Sequence, residues 1–129
     1  MKIQYVPTRL VVDQANSKQL FVGTEQNGVY RSLDGGGSWI PINNTLPNQG
    51  NGLKCTGLAL DPRTETLYAA FEGVGVFATS TSTDDWRNLT ANLDQKAIKG
   101  ISVLEVGKGD VPRLFVGTKG QGVWVRQLP

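Results

Sequence analysis

Ser32-Leu33-Asp34-Gly35-Gly36-Gly37-Ser38-Trp39 is a polar, glycine-rich turn that ends on a large aromatic, and its surroundings recur along the 129-residue chain. Leu20, Leu67 and Leu114 stand 47 residues apart in both steps, as do Gly28, Gly75 and Gly122, and Val29, Val76 and Val123. Trp39 falls on Trp86 at the same offset. A fixed period of this length marks a repeat architecture, in which each unit is one supersecondary element that buries its apolar face by stacking on its neighbours.

Working outward from the turn, Gly28-Val29-Tyr30-Arg31 precedes it and reads as a strand, with Gly75-Val76-Phe77-Ala78 and Gly122-Val123-Trp124-Val125 as counterparts. Before these lie Gln19-Leu20-Phe21-Val22-Gly23-Thr24, Thr66-Leu67-Tyr68-Ala69-Ala70-Phe71 and Arg113-Leu114-Phe115-Val116-Gly117-Thr118. Earlier still, Leu10-Val11-Val12-Asp13 aligns with Leu58-Ala59-Leu60-Asp61 and more loosely with Ile101-Ser102-Val103-Leu104. Near-continuous apolar runs with β-branched residues and no helical spacing mean strands covered on both faces. A fourth strand is expected from the tryptophan onward, near Ser38 to Ile42 and Asp85 to Leu89, with no counterpart in the third unit. Leu93 to Ile98, the best helical stretch, is too short to count. Four short antiparallel strands per unit predict an all-β chain of propeller blades, at about 5–43, 53–90 and 98–127, the last lacking its outer strand.

Composition narrows the chemistry. With 13 basic and 11 acidic residues scattered along the chain, the net charge of +2 gives no polybasic run for nucleic acid or anionic lipid. There is no span of about 20 apolar residues and no secretory leader pattern, so a cytoplasmic protein without membrane contact is expected, or a secreted one if the chain is a piece of a larger protein. Cys55 is the single cysteine and histidine is absent, which removes Cys/His metal sites and Cys-His or Ser-His nucleophile pairs. Neither a metal nor a cofactor is expected.

Ser32-x-Asp34-x-Gly36-x-Ser38-Trp39, with Leu20-Phe21-Val22-Gly23-Thr24 and Gly28-Val29-Tyr30-Arg31 beside it, resembles the Asp-box or BNR repeat in full. That family includes sialidases, xyloglucanase-type hydrolases, sortilin-like receptors and photosystem assembly factors, all β-propellers, so the resemblance implies a fold and not an activity. In the second unit Thr81 replaces Asp34 and Thr83 replaces Gly36, leaving Trp86. Turn chemistry alone accounts for the box: Asp34 accepts backbone N–H bonds, Gly36 takes a positive φ, and Ser32 and Ser38 serve local backbone groups. Trp39 is then expected to plug apolar area between blades.

An enzyme is not the expected reading. A sialidase-like site needs an arginine cluster and a Tyr/Glu pair, and an inverting hydrolase needs two carboxylates roughly 6.5–9.5 Å apart. Six arginines are scattered, and Asp84 and Asp85 sit together in the degraded box. The period places Glu25, Glu72 and Lys119 at equivalent loops of one face, beneath the amide-rich stretch from Asn43 to Gly52 that carries Asn48 and Asn51. This face is the candidate ligand surface, for a protein or a glycan. Asn43-Asn44-Thr45 and Asn88-Leu89-Thr90 match the glycosylation sequon.

Propellers close with four to eight blades, and three cannot make a ring. If each bare flank exposes roughly 400 Å² of apolar surface, burial at about 25 cal/mol per Å² is worth about 10 kcal/mol before ordering costs. Head-to-tail pairing of two chains into six blades is the expected remedy, with Met1 to Tyr5 as a strand that a neighbour's third blade can accept. The expected function is a non-enzymatic, self-assembling interaction scaffold. A carbohydrate-binding lectin is the alternative, and a hydrolase-like propeller or a piece of a larger one comes third.

Overall fold

The computed structural model describes residues 5–90, 101–107, 113–120 and 122–127. Its strands fall into three antiparallel sheets in chain order. The first holds β1 (Pro7–Val12), β2 (Leu20–Thr24), β3 (Val29–Ser32) and β4 (Ile40–Pro41). The second holds β5 (Cys55–Asp61), β6 (Thr66–Phe71), β7 (Gly75–Ser80) and β8 (Arg87–Asn88), and the third β9 (Ile101–Val106), β10 (Arg113–Thr118) and β11 (Val123–Gln127).

Local chemistry sets the turns. Between β1 and β2 the Ala15 N–H donates to Asp13 Oδ1 at 2.9 Å, and between β5 and β6 the Arg63 N–H donates to Asp61 Oδ1 at 3.0 Å. Both aspartates are buried, so a side-chain turn replaces solvent for the backbone at the same place in two blades.

Packing follows the pleat. On the middle sheet Leu58, Leu67, Phe71 and Phe77 face the first sheet and join Phe21, Val29 and Ile42 in one core. Tyr68, Ala70, Val76 and Ala78 point the other way and join Ile101, Leu104, Leu114 and Val116 in a second. Both faces are covered, which is why these strands read as apolar runs rather than alternating ones. Next to each other lie β1, β5 and β9: Thr8 Oγ1 donates to the Cys55 carbonyl at 2.6 Å and Thr56 Oγ1 to the Ile101 carbonyl at 3.0 Å. Gly57 permits this approach, since a Cβ there would lie 2.7 Å from Leu104 Cβ.

The outer strands are shorter than the sequence predicts, being Ile40–Pro41 and Arg87–Asn88. Pro41 has no N–H for a ladder, and the Trp86 N–H goes to Thr45 Oγ1 at 2.6 Å instead of to β7. The third sheet has three strands among the described residues. The stretch Leu93 to Ile98 and residues 1–4 of the expected donor strand lie outside the described residues. No helix among the described residues is long and apolar enough to cross a membrane.

Candidate functional site

The turn after β3 is closed by its own side chains. Asp34 Oδ1 accepts the Ser38 N–H and the Ser32 hydroxyl, each at 2.8 Å, and Asp34 Oδ2 accepts the Ser38 hydroxyl at 2.7 Å. Ser32 Oγ accepts the Gly36 N–H at 2.8 Å, and Gly36 sits at φ 96°, where a side chain would be strained. The two serines and the aspartate of the motif thus bond to one another and to the backbone of their own loop. The equivalent turn of the second blade uses other bonds: Thr79 and Thr83 hydroxyls pair at 3.0 Å, and the Thr83 N–H reaches the Ser80 carbonyl at 3.2 Å.

Hydrogen bonds from the Ser38 hydroxyl, the Ser38 N–H and the Ser32 hydroxyl hold the Asp34 carboxyl down at about 2, against an ordinary 3.8. A carboxylate depressed in the folded state stabilises the turn above its ordinary value and loses that contribution as the pH falls toward 2. Urea unfolding measured from pH 5 to pH 2 should therefore show an acid-side loss of stability that Asp34→Asn reduces. An unchanged acid limb in that variant contradicts the role given to these bonds.

The two tryptophans take different places. Trp86 is 7% exposed, packs edge-on against Phe71 at 6.5 Å between ring centres, and donates Nε1–H to the Ile42 carbonyl at 2.6 Å. It is the plug between the first and second blades. Trp39 is only half-buried, because the outward side of the first blade has no neighbouring sheet among the described residues.

On the loop face the structure brings two predicted residues together through one that the sequence reading missed. Lys54 Nζ lies 3.8 Å from Glu25 and 3.5 Å from Glu72, with all three side chains about half exposed. Nothing in the period marks Lys54, whose neighbours are set by how adjacent blades stack. Exposed pairs of this kind contribute under about 1 kcal/mol each. Lys119 occupies the same turn of the third blade, exposed, and joins no ion pair among the described residues. Asn48 and Asn51 are exposed on a tight turn at Pro47–Gly50, where Asn48 Nδ2 donates to the Asn51 carbonyl at 3.3 Å. That turn is fixed to the same face, because the Gly52 N–H donates to Gln26 O at 2.6 Å and the Gly28 N–H to Leu53 O at 3.1 Å.

The remaining reactive group is closed off. Burial pushes the Cys55 thiol up to about 12, and its S–H is held by the Gly57 carbonyl at 3.2 Å, so it is a neutral core residue at any ordinary pH. Among the described residues no group of three acidic or thiol side chains is placed to hold a metal ion.

No protein-family model and no curated protein matches the chain. Solved structures do. An ancestral GH74 enzyme is 23% identical over 92% of this chain and 17% of its own length, with a TM-score of 0.67. U3-55K is 15% identical over 99% of this chain and 38% of its own, with a TM-score of 0.71. The Cps50 (Swd1) β-propeller domain of Myceliophteria thermophila is 14% identical over 100% of this chain and 40% of its own, with a TM-score of 0.55. The chain therefore spans less than half of each of these structures, and at such identities the likeness concerns the fold alone. Two four-stranded sheets and one three-stranded sheet, stacked face to face in chain order, are blades of a β-propeller.

Proposed function

We propose that this chain is a non-enzymatic scaffold of Asp-box blades that completes its ring with a second copy, head to tail. The observation that carries the reading is a difference in exposure between equivalent positions. Val76 and Ala78, on the face of the middle blade that meets the third, are 0% exposed. Their counterparts on the third blade, Val123 and Val125, are 67% and 55% exposed. At the opposite end Leu58 is 8% exposed, whereas Leu10, in the same register of the first blade, is 60% exposed. Val12 is exposed on the same face, and Tyr5 lies over Tyr30 with ring centres 6.1 Å apart.

These two flanks are different surfaces of one repeat, so they match as the two sides of an internal seam match. Contacts of that heterologous kind close into a ring when the rotation suits, and two three-blade chains give six. Contiguous apolar patches of this sort mark interaction surfaces. The closed Asp34 turn and the buried thiol favour a scaffold over a catalyst, and the loop face with Glu25, Lys54 and Glu72 is the surface such a ring would offer to a protein ligand.

Sedimentation velocity at micromolar protein tests the association. The expected result is a dimer for the unaltered chain and a folded monomer for Val123→Glu combined with Leu10→Glu. A folded monomer from the unaltered chain overturns the reading, as does a dimer that survives both charges.

A further inference from the structure

The seam between the first and second blades lies inside the chain, and it holds a cation without a counter-ion. Arg31 stands opposite Phe21 in the ladder of β2 and β3, so its side chain leaves the sheet on the face that meets the second blade. There Arg31 Nη1 donates to the Thr81 carbonyl at 2.9 Å, while Nε is buried and finds no acceptor among the described residues. The ion pairs among those residues join Lys54 to Glu25 and Glu72, and Arg63 to Asp61; none reaches Arg31. A guanidinium drawn partly out of water and answered by one neutral carbonyl is costly, and an anion placed beside it offsets much of that cost.

The turn that Arg31 touches is the degraded box. Where the first blade has Ser32, Asp34, Gly36 and Ser38, the second has Thr79, Thr81, Thr83 and Asp85, so the carboxylate that organises the first turn is missing from the second. Thr79 to Thr83 are instead five hydroxyl residues in a row, followed by Asp84 and Asp85. Burial sorts them. Thr79 and Thr81 are 3% and 5% exposed, and the Thr83 hydroxyl is tied to that of Thr79 at 3.0 Å. Ser80 and Ser82 are exposed, with hydroxyls 3.2 Å apart. Of these two, only Ser82 has carboxylates two and three residues after it, and its N–H belongs to the peptide group whose carbonyl Arg31 holds.

We propose that Ser82 is a phosphorylation site for an acid-directed serine/threonine kinase, and that the phosphoryl group completes the degraded box by taking Arg31 as its counter-ion across the first seam. In the transfer the bond from Ser82 Oγ to the γ-phosphorus of ATP forms and the bond from that phosphorus to the bridging oxygen breaks. The hydroxyl proton passes to the catalytic aspartate of the kinase, and ADP leaves. Such kinases read the charge pattern around the accepting hydroxyl, which Asp84 and Asp85 supply. The product's oxygens then meet a planar fork of donors in Arg31. The same turn carries the Asp84 carbonyl that Thr45 Oγ1 reaches at 2.9 Å and leads directly into Trp86, so tightening it tightens the seam. The site does not depend on how the ring is completed.

Without the guanidinium the phosphate faces Asp84 and Asp85 alone, and like charges repel, so the sign of its effect on stability rests on Arg31. The whole chain, incubated with ATP and a recombinant acid-directed kinase and read by peptide mass mapping, should carry one phosphate on Ser82. Ser82→Ala should abolish the incorporation, and Asp85→Asn should slow it at least about tenfold. Thermal unfolding at one fixed protein concentration should then show Tm raised by about 3 °C or more in the phosphorylated chain. In Arg31→Gln the same modification should leave Tm unchanged or lower it, and in Arg31→Lys, which keeps the charge but loses the fork, less than about half of the rise should remain. No phosphate on Ser82, an unraised Tm in the phosphorylated chain, or a rise that survives Arg31→Gln overturns the proposal. Should Arg31→Gln not fold, the Arg31→Lys chain decides, and a full rise there overturns the proposal as well.

Discussion

Trp86→Ala is expected to destabilise the chain by about 3–5 kcal/mol, the range for removing a large aromatic from a packed core. The ring is almost wholly buried and meets Phe71 edge-on, and its N–H is bonded to the Ile42 carbonyl at 2.6 Å. Truncation opens a cavity at the seam between two blades and leaves that carbonyl without its donor. Because the blades share this seam, the loss should appear as one cooperative shift of the urea midpoint, by about 2 M for a slope near 2 kcal/mol per M. Trp86→Phe restores most of the volume but not the hydrogen bond, and should fall between. Trp39→Ala, at fixed and low protein concentration, should cost under about 1.5 kcal/mol, since a half-buried ring has less to lose. Equal losses at the two tryptophans would contradict the distinction drawn between them.

Asn43→Ala is expected to cost about 2–4 kcal/mol, although asparagine in a loop is ordinarily replaceable. Asn43 is 7% exposed; its Oδ1 accepts the Val29 N–H at 2.8 Å and its Nδ2 donates to the Asn27 carbonyl at 2.9 Å. Val29 is fully buried, so its N–H has no water to turn to when the amide is gone. The chain has also closed round this side chain: a Cβ on Gly28 would lie 2.5 Å from Asn43 Oδ1, and one on Gly50 2.6 Å from its Cγ. Thr90 does the same work in the second blade, taking the Val76 N–H on its hydroxyl at 3.0 Å. Asn43→Thr should therefore recover about half of the loss, read as a Tm between those of the unaltered chain and of Asn43→Ala. The same burial closes the sequon at Asn43 to modification in the folded chain, and Thr45 is engaged besides, donating to the Asp84 carbonyl at 2.9 Å.

The candidate loop face was legible only in part. Glu25 and Glu72 could be placed on one side because they follow equivalent strands, and the ladder puts both at the start of equivalent turns. Lys54 could not, because it lies before β5 in the chain and meets the two glutamates only through the packing of two blades. The buried role of Asn43 was hidden in a stretch that reads as polar and solvated, since composition does not say which amide turns inward.

The period of 47, the turn chemistry of Asp34 and its serines, and the strand runs are local properties, and a local property is written where it acts; these alone determined three units of all-β structure. Tertiary structure decided which flank of each unit is covered. Val76 and Val123 are the same residue in the same register, one sealed at 0% and the other 67% exposed, because burial belongs to the neighbour that stacking supplies. For the same reason only the structure could tell Trp86, closed in a seam, from Trp39, left at an open side.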